Sequence, residues 1–193
     1  MGAFRFEGYL IVSADGMLAN AQHVMPDALK FESDKQFFTA ALGRADLIVH
    51  GRHSGEDQPD SPRRRRLILT RSVAALATDP ENPKATLWNP SSASFEAAAE
   101  MAGVRAGTVA IIGGPAVFDM FMNRYDTFWL SEAAKVRLPG GEACFPGVPG
   151  LTPQQILAGH GLRAGESRML DAAEEVSVTP WRRVAQVRAY TSP

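Results

Sequence analysis

The chain has 193 residues, 45% of them hydrophobic and 21% charged, a composition typical of globular proteins and unlike that of disordered or fibrous ones. Its 20 Lys and Arg residues nearly balance 21 Asp and Glu residues, and the formal net charge of −1 argues against binding to nucleic acid or anionic membranes. The single cysteine excludes an intrachain disulfide, and the apolar run YLIV near the amino terminus is too short to span a membrane. These features predict one cytoplasmic domain over residues 1–193.

The first quarter of the chain predicts a strand, a loop and a helix. Phe4–Ser13 is rich in aromatic and β-branched residues, which favours a strand. Residues 14–31 show no sustained period and predict a long loop, a type of segment that is often functional. The next segment has a helical apolar face that includes Phe37 and Phe38, with Ser33 as its expected amino-terminal cap and Gly43 as its end.

The rest of the chain predicts further strands and helices, followed by a change of pattern. Strands are expected at 46–50, 67–70, 85–88, 108–112 and 126–131, and helices at 94–102 and 116–123, the first of these capped by Ser92 or Ser94. Residues 138–153 are crowded with Pro and Gly, and the tail beyond them predicts antiparallel strands without helices. This order predicts an α/β fold whose sheet is parallel at its centre and antiparallel at its carboxyl-terminal edge.

Three of the predicted strands end in residues suited to an anion, within the motifs GRHS, TRS and GGP. Because ligands bind beyond the carboxyl ends of strands in open α/β sheets, these three loops are expected to converge. Gly113 and Gly114 allow a close approach of ligand to backbone, and Pro115 suits the first turn of a helix whose start favours a phosphate. A tight strand-to-helix turn without a ligand is the alternative interpretation.

Arginines and hydroxyls in the other two loops favour the phosphate interpretation. Arg52 and Arg71 offer planar forks that match phosphate oxygens, although solvated loop positions are the usual place for such side chains. The hydroxyl groups in these loops belong to Ser54, Thr70 and Ser72. The run Arg63–Arg66 predicts a solvated face, with a contact to a phosphorylated adenosine as the alternative.

Other catalytic chemistries find little support in the sequence. Asp34 is a candidate proton-handling group, and the alternative is an acid that stabilises the start of its helix. The four histidines have no metal-ligand spacing, so no zinc site is expected. The nucleophile elbow, the P-loop and the G-x-G-x-x-G fingerprint are absent from the sequence. A phosphate-ester hydrolase would need a metal or a nucleophile that the sequence does not identify.

Five segments occur in the order and spacing of the dihydrofolate reductase fold: VSADGMLA, IVHGRHS, RRLILTRS, VAIIGGPAVFDMFM and GGEACFPG. The pattern S-x-D-G-x-x-A in the first of them resembles the stand-alone relatives of the reductase domain of riboflavin biosynthesis. The resemblance covers residues 4–147. It implies a three-layer α/β/α fold with a central mixed sheet of about eight strands, an NADPH-dependent reductase acting on CH–NH or CH–OH groups of a small molecule, and a homodimer.

The resemblance also implies roles for individual residues. Those expected beside the cofactor pyrophosphate and at the start of the following helix are Gly113 and Gly114, joined by a cis peptide, and Ala116, Val117 and Phe118. Those expected under the adenosine phosphates are Gly51, Arg52, His53 and Ser54. Those expected around the 2′-phosphate, which distinguishes NADPH from NADH, are Thr70, Arg71 and Ser72. Those expected to frame the nicotinamide are Ile11, Leu18 and Ala19, beneath a mobile lid of residues 14–26.

On the substrate side, Asp34 lies near the position of the carboxylate that grips the pterin in folate reductases. The hydroxyl residue that supports this carboxylate is expected at position 143, where this sequence has alanine. Two hypotheses follow. The first is a reductase that transfers a hydride from NADPH to a pteridine- or aminopyrimidine-type molecule, as dihydrofolate reductase and 5-amino-6-(5-phosphoribosylamino)uracil reductase do. The alternative is a non-catalytic NADPH- or nucleotide-binding regulatory module on the same fold.

Overall fold

The structure is a computed structural model that describes residues 3–53 and 60–184, so the expected site residue Ser54 lies outside the described residues. The strands are β1 (Phe4–Ser13), β2 (Met17–Ala19), β3 (Leu47–Gly51), β4 (Arg66–Leu69), β5 (Leu76–Thr78), β6 (Ala85–Trp88), β7 (Gly107–Gly113), β8 (Tyr125–Ala133), β9 (Glu142–Ala143), β10 (Leu162–Ala164), β11 (Arg168–Asp171) and β12 (Val176–Arg183). The helices are α1 (Glu32–Leu42), α2 (Phe95–Met101), α3 (Pro115–Met120) and α4 (Pro153–Gly159).

Ten of the strands form one mixed sheet, in the order β10-β12-β8-β1-β7-β3-β4-β6-β5, with β11 also paired to β12. Neighbours from β8 through β6 are parallel, whereas β12, β10 and β11 form an antiparallel edge. The predicted α/β sheet with an antiparallel carboxyl-terminal edge is thus confirmed. The sheet is wider than the expected eight strands partly because Leu76–Thr78, predicted as loop, pairs with β6.

Helices cover both faces of the sheet and make three layers. Side chains alternate along β1, so that Phe6 and Val12 join the larger core whereas Tyr9 and Ile11 face the other way. The larger core includes apolar residues of α2, α3 and α4, and the opposite face is covered by Ala41 and Leu42 of α1. None of the helices in the described residues is long and apolar enough to cross a membrane.

Two predictions about helices were wrong, one about where α1 begins and one about the existence of α4. Helix α1 begins at Glu32 because the backbone is still extended at Phe31, so Ser33 lies within the first turn and is not the cap. Helix α4 was not predicted at all. Its start is a capping box in which Thr152 and Gln155 each accept a hydrogen bond from the other's backbone N–H, at 3.2 and 2.9 Å. By contrast, Ser94 caps α2 as one of the two expected residues.

In the larger core, aromatic rings pack closely against β1 at Gly8, which has no side chain. Phe128 is fully buried and contacts Phe118, Tyr125 and Phe145 at ring centroid distances of 5.0 to 5.7 Å. A Cβ atom on Gly8 would lie 2.3 Å from Cδ2 of Phe128, closer than any carbon contact allows. Only glycine therefore fits this position without moving the ring.

We predict that Gly8→Ala destabilises the fold by about 1–3 kcal/mol, because the buried Phe128 ring has no free volume to move into. The free energy of unfolding in urea would measure the loss. Gly159→Ala is the matched control, since its Cβ meets nothing within 4 Å and alanine favours a helix. An unchanged stability of Gly8→Ala would contradict this account of the core.

Candidate functional site

The carboxyl ends of β3 and β7 meet the start of α3. His50 on β3 is in register with Gly113 on β7. A Cβ atom on Gly51 would lie 3.5 Å from Cγ2 of Val117 and 3.7 Å from the backbone nitrogen of Gly114. Two of the three loops predicted to converge therefore do so, and two of the three atoms nearest to Gly51 belong to the backbone of the glycine pair.

The expected glycine pair has an unusual backbone. The Gly113–Gly114 peptide is cis, as the resemblance implies, and Gly113 has φ of 117°, a region that favours glycine. Gly114 caps α3, where its carbonyl accepts hydrogen bonds from Val117 and Phe118 at 2.9 and 3.0 Å. The Val117 and Phe118 side chains are buried in the core. At this loop a ligand would therefore meet backbone and the exposed Ala116.

The third loop follows β4, the neighbour of β3 on the side away from β7. The Thr70 hydroxyl lies 2.8 Å from the Ser72 hydroxyl and accepts a hydrogen bond from the Ser72 backbone N–H at 3.1 Å. This turn leaves the Arg71 side chain exposed, and Arg52 and His53 are also exposed after β3. The three loops therefore lie side by side at the carboxyl edge of the sheet, because their strands are neighbours in the order β7-β3-β4.

The first residues of segment 14–26, which was expected to form a lid, are held by strand pairing and hydrogen bonds. Strand β2 pairs with β9, and the Asp15 carboxylate accepts hydrogen bonds from the Leu138 backbone N–H at 3.0 and 3.1 Å and from the Ser13 hydroxyl at 2.6 Å. Burial opposes ionisation of Asp15, but these hydrogen bonds outweigh it and lower its pKa. Of the residues expected at the nicotinamide, Ile11 and Ala19 are buried and Leu18 is half-buried.

Asp34 lies in the first turn of α1 and faces β8, where the Ser131 hydroxyl hydrogen-bonds to its carboxylate. Burial raises the pKa of Asp34, and the Ser131 hydrogen bond partly opposes that rise. Ser131 is in register with Ile11 on β1, so the carboxylate is next to the expected nicotinamide position.

The resemblance puts the hydroxyl that supports Asp34 at position 143, and this expected position was wrong. Ala143 lies on β9 and pairs with Met17, whereas the hydroxyl near Asp34 comes from Ser131. The sequence held only part of the signal, since alternation along the predicted strand 126–131 puts residues 129 and 131 on one face but does not show that this face lies beneath Asp34.

A buried polar cluster on the same face as Asp34 was not predicted. The Glu7 carboxylate accepts hydrogen bonds from the Tyr9 hydroxyl and from Nε1 of Trp129, the latter at 3.3 Å, and it pairs with Arg5 at 2.7 Å. Burial and then the Glu7 contact raise the pKa of Tyr9 well above its ordinary value. The rings of Tyr9 and Trp129 also contact Phe37 of α1, with centroids 6.2 and 5.5 Å away.

His50 and the run Arg63–Arg66 lie at opposite edges of the sheet. His50 is buried beside Gly51, where its Nδ1 donates to the Gly51 carbonyl at 2.8 Å, and burial lowers its pKa. Residues 63–65 precede β4, so they lie at the opposite edge of the sheet from the glycine pair. This position is far from the three loops at the carboxyl edge, which argues against the alternative in which the run contacts a phosphorylated adenosine held there. In residues 3–53 and 60–184, no three acidic, His or Cys side chains are grouped as metal ligands.

Comparisons with known proteins identify the fold. No protein-family model matches the sequence, and no curated protein matches it. A protein described as a riboflavin biosynthesis protein from Shewanella sp. PV-4 matches with a TM-score of 0.65 and 17% identity, over 93% of this chain and 99% of its own. Dihydrofolate reductase from Enterococcus faecalis, complexed with NADP(H) and RAB-propyl, matches with a TM-score of 0.62 and 14% identity, over 93% and 96% of the two chains.

A third solved structure is a diaminohydroxyphosphoribosylaminopyrimidine deaminase/5-amino-6-(5-phosphoribosylamino)uracil reductase from Thermotoga maritima. It matches with a TM-score of 0.59 and 16% identity, over 93% of this chain and 56% of that one, so this chain spans just over half its length. The chain therefore has the dihydrofolate reductase-like fold expected from the sequence.

We predict that Asp34→Asn stabilises the protein near neutral pH, because it removes a charge whose ionisation burial opposes. A carboxyl with a raised folded pKa contributes stability below its unfolded pKa, ordinarily 3.8, and loses it as pH rises through the folded value. The gain in unfolding free energy should therefore be present at pH 7 and vanish below the ordinary pKa. Glu166→Gln, at an exposed carboxylate, is the control. An equal gain at pH 3 and pH 7 would contradict the prediction.

Proposed function

We propose that the protein is an NADPH-dependent reductase that transfers a hydride to a pteridine- or aminopyrimidine-type small molecule. The observation that carries this proposal is the close approach of Gly51 to the Gly113–Gly114 cis peptide and to the start of α3 at Val117. It lies beyond the carboxyl ends of parallel strands, where ligands bind in open α/β sheets. The complex of the similar Enterococcus faecalis enzyme with NADP(H) supports the choice of cofactor.

The other expected cofactor residues fit an extended dinucleotide. Gly113 and Gly114 would allow the pyrophosphate to approach their backbone closely, since neither residue has a Cβ. Arg52, His53 and Ser54 would hold the adenosine phosphates. Thr70, Arg71 and Ser72 would hold the 2′-phosphate, where an exposed guanidinium can form a bidentate contact.

The substrate would lie between α1 and the nicotinamide position formed by Ile11, Leu18 and Ala19. The cofactor supplies the hydride when bound, and the reaction also needs a proton. Asp34 is placed to handle that proton at its carboxyl oxygen, directly or through water. Its raised pKa favours the protonated form at a higher pH than usual, and Ser131 would orient it.

The non-catalytic alternative was motivated by the missing hydroxyl at position 143 and by the register of Asp34, which differs by about one residue from that of the resembled carboxylate. The hydroxyl that Ser131 offers to Asp34 from a different strand favours the reductase on the first of these points. We further propose that residues 1–193 form one domain and that the protein is a cytoplasmic homodimer, as its riboflavin-type resemblance implies.

Binding and turnover can be tested separately. NADPH should quench the fluorescence of the three tryptophans, and no binding at about millimolar cofactor, weaker than ordinary enzyme–cofactor affinities, would refute the proposal. A panel of dihydrofolate, dihydropterins and ribityl- or phosphoribosyl-aminopyrimidines, followed at 340 nm for NADPH oxidation, then tests catalysis. Binding without any turnover across the panel would favour the regulatory module.

We predict that Arg71→Ala weakens NADPH binding by about 10–100-fold, as expected for a charge-assisted phosphate contact, and leaves NADH binding nearly unchanged. Fluorescence titration with each cofactor would measure both. Arg163→Ala, at an exposed position on β10, is the control. Equal losses for NADPH and NADH would show that Arg71 does not contact the 2′-phosphate.

We also predict that Gly51→Ala keeps its stability but weakens NADPH by about tenfold or more, because the new methyl occupies the space proposed for the cofactor. Its nearest neighbours would be 3.5 to 3.8 Å away, which is ordinary contact, so the fold tolerates it. Unfolding free energy and NADPH affinity should be measured on the same sample. Unchanged affinity would favour the interpretation of this loop as a tight turn only.

A further inference from the structure

His50 is a buried histidine that neither the expected cofactor contacts nor the proposed proton transfer uses. It lies near the carboxyl end of β3, in register with Gly113 of β7, and it is only 2% exposed. Leu47 and Val49 of the same strand face the larger core, to which α3 also belongs. Alternation along the strand therefore puts His50, like Ile48, on the opposite face, which α1 covers.

The hydrogen bonds of the His50 ring decide which of its nitrogens carries the proton. Nδ1 lies 2.8 Å from the carbonyl oxygen of Gly51, and because a carbonyl can only accept, Nδ1 is the donor. Nε2 is buried, and no group in residues 3–53 and 60–184 forms a hydrogen bond with it. A proton on Nε2 would be a buried donor without an acceptor, so the neutral ring with its proton on Nδ1 is the favoured form.

The surroundings of the ring also oppose its protonation. Burial is the main cause that lowers the pKa of His50, and the positive charge of Arg66 lowers it further, against the opposing effect of the Gly51 hydrogen bond. Arg66 lies on β4 two residues before Ile68, which is in register with His50, so it shares the face of the ring. The neutral form therefore predominates at pH 6.5, where an ordinary histidine is half protonated.

The bond from Nδ1 sets the direction of the peptide that joins Gly51 to Arg52. This peptide is trans, since the cis peptides of the described residues are Gly113–Gly114 and Val148–Pro149. In a trans peptide the C=O and the N–H point in opposite directions. Because the carbonyl of Gly51 points to the ring on the α1 face, the N–H of Arg52 points toward the face that carries α3. No backbone carbonyl of the described residues accepts this N–H.

Gly51 is a position at which such a restraint has a large effect. Without a Cβ, its own backbone restricts the direction of the following peptide very little. A Cβ atom placed on it would lie 3.5 Å from Val117 and 3.7 Å from the nitrogen of Gly114, so Gly51 adjoins the proposed position of the cofactor phosphates. A carbonyl oxygen turned toward that position would repel a phosphate, whereas a backbone N–H would bind it.

We propose that His50 is a positioning residue of the cofactor site, a role that rests on the proposed binding of NADPH. Its Nδ1–H holds the Gly51 carbonyl on the α1 face, and the backbone N–H of Arg52 is thereby presented as a donor to a cofactor phosphate. His50 does not itself contact the cofactor in this arrangement, because its ring is buried on the opposite face.

Three substitutions of His50 separate this role from simple packing. The amide nitrogen of asparagine can take the place of Nδ1, that of glutamine takes the place of Nε2, and leucine has no donor. His50→Asn should keep NADPH affinity within about threefold, whereas His50→Gln and His50→Leu should each lose about tenfold, as expected for one hydrogen bond. NADH should lose as much as NADPH, in contrast to Arg71→Ala, because the donor in question is not at the 2′-phosphate.

Unfolding free energies in urea should be measured on the same samples as the fluorescence titrations. His50→Leu should not be less stable than the wild-type protein, since it also removes the unpartnered Nε2. A further measurement needs no cofactor. Nitrogen NMR of the imidazole rings, with His50 assigned by its absence from His50→Asn, should show a proton on Nδ1 and none on Nε2 at pH 6.5.

The outcomes distinguish this role from the cofactor proposal. A proton on Nε2, equal NADPH affinities in the three variants, or losses of affinity that follow losses of stability would overturn the role of His50 alone. The same holds if His50→Asn loses as much affinity as His50→Leu. Absence of NADPH binding by the wild-type protein would overturn both proposals.

Discussion

The parallel pairing of β3 between β7 and β4 is the constraint on which the candidate sites depend. Parallel strands start at one edge of the sheet and end at the other, so loops that follow them share an edge whatever their sequences. Gly51, Gly113 and Thr70 meet at the carboxyl edge for this reason, and Arg65 and Lys84 meet at the amino edge. One register thus aligns the loops at the carboxyl edge and the strand starts at the amino edge.

The substrate side depends on a different contact, the packing of α1 across β1 and β8. Phe37 touches the rings of both Tyr9 and Trp129, and Asp34 lies one turn earlier on the same helix face. Glu7 accepts hydrogen bonds from Tyr9 and Trp129, so the apolar contact surface is fixed by a buried polar group whose partners are all present. The direction of Asp34 toward Ser131 follows from this anchoring of α1.

Elements with a strong local pattern were predictable, and those set by tertiary packing were not. The bounds of β1 and of the strand 85–88 were predicted as observed, because aromatic and β-branched residues mark them and turns flank them. The convergence of GRHS, TRS and GGP was predictable from strand ends alone. The Asp34–Ser131 pair was not, because it joins residues 97 positions apart in sequence through the crossing of a helix over a strand. The capping box of α4 was hidden among prolines and glycines that locally favour turns.

The two halves of the proposed site use side chains differently. The pyrophosphate part of the cofactor half would use glycines and backbone groups, which tolerate wide sequence change provided that the strand ends stay in register. The substrate half is built from particular side chains of α1, β1 and β8, including Asp34, Ser131 and Tyr9. In the proposed site, the cofactor half would constrain the backbone conformation, whereas the substrate half would constrain the identity of the side chains. The fold can therefore persist at 14–17% identity while the substrate changes. In the proposed reductase, the side chains beneath α1 would therefore decide which molecule is reduced.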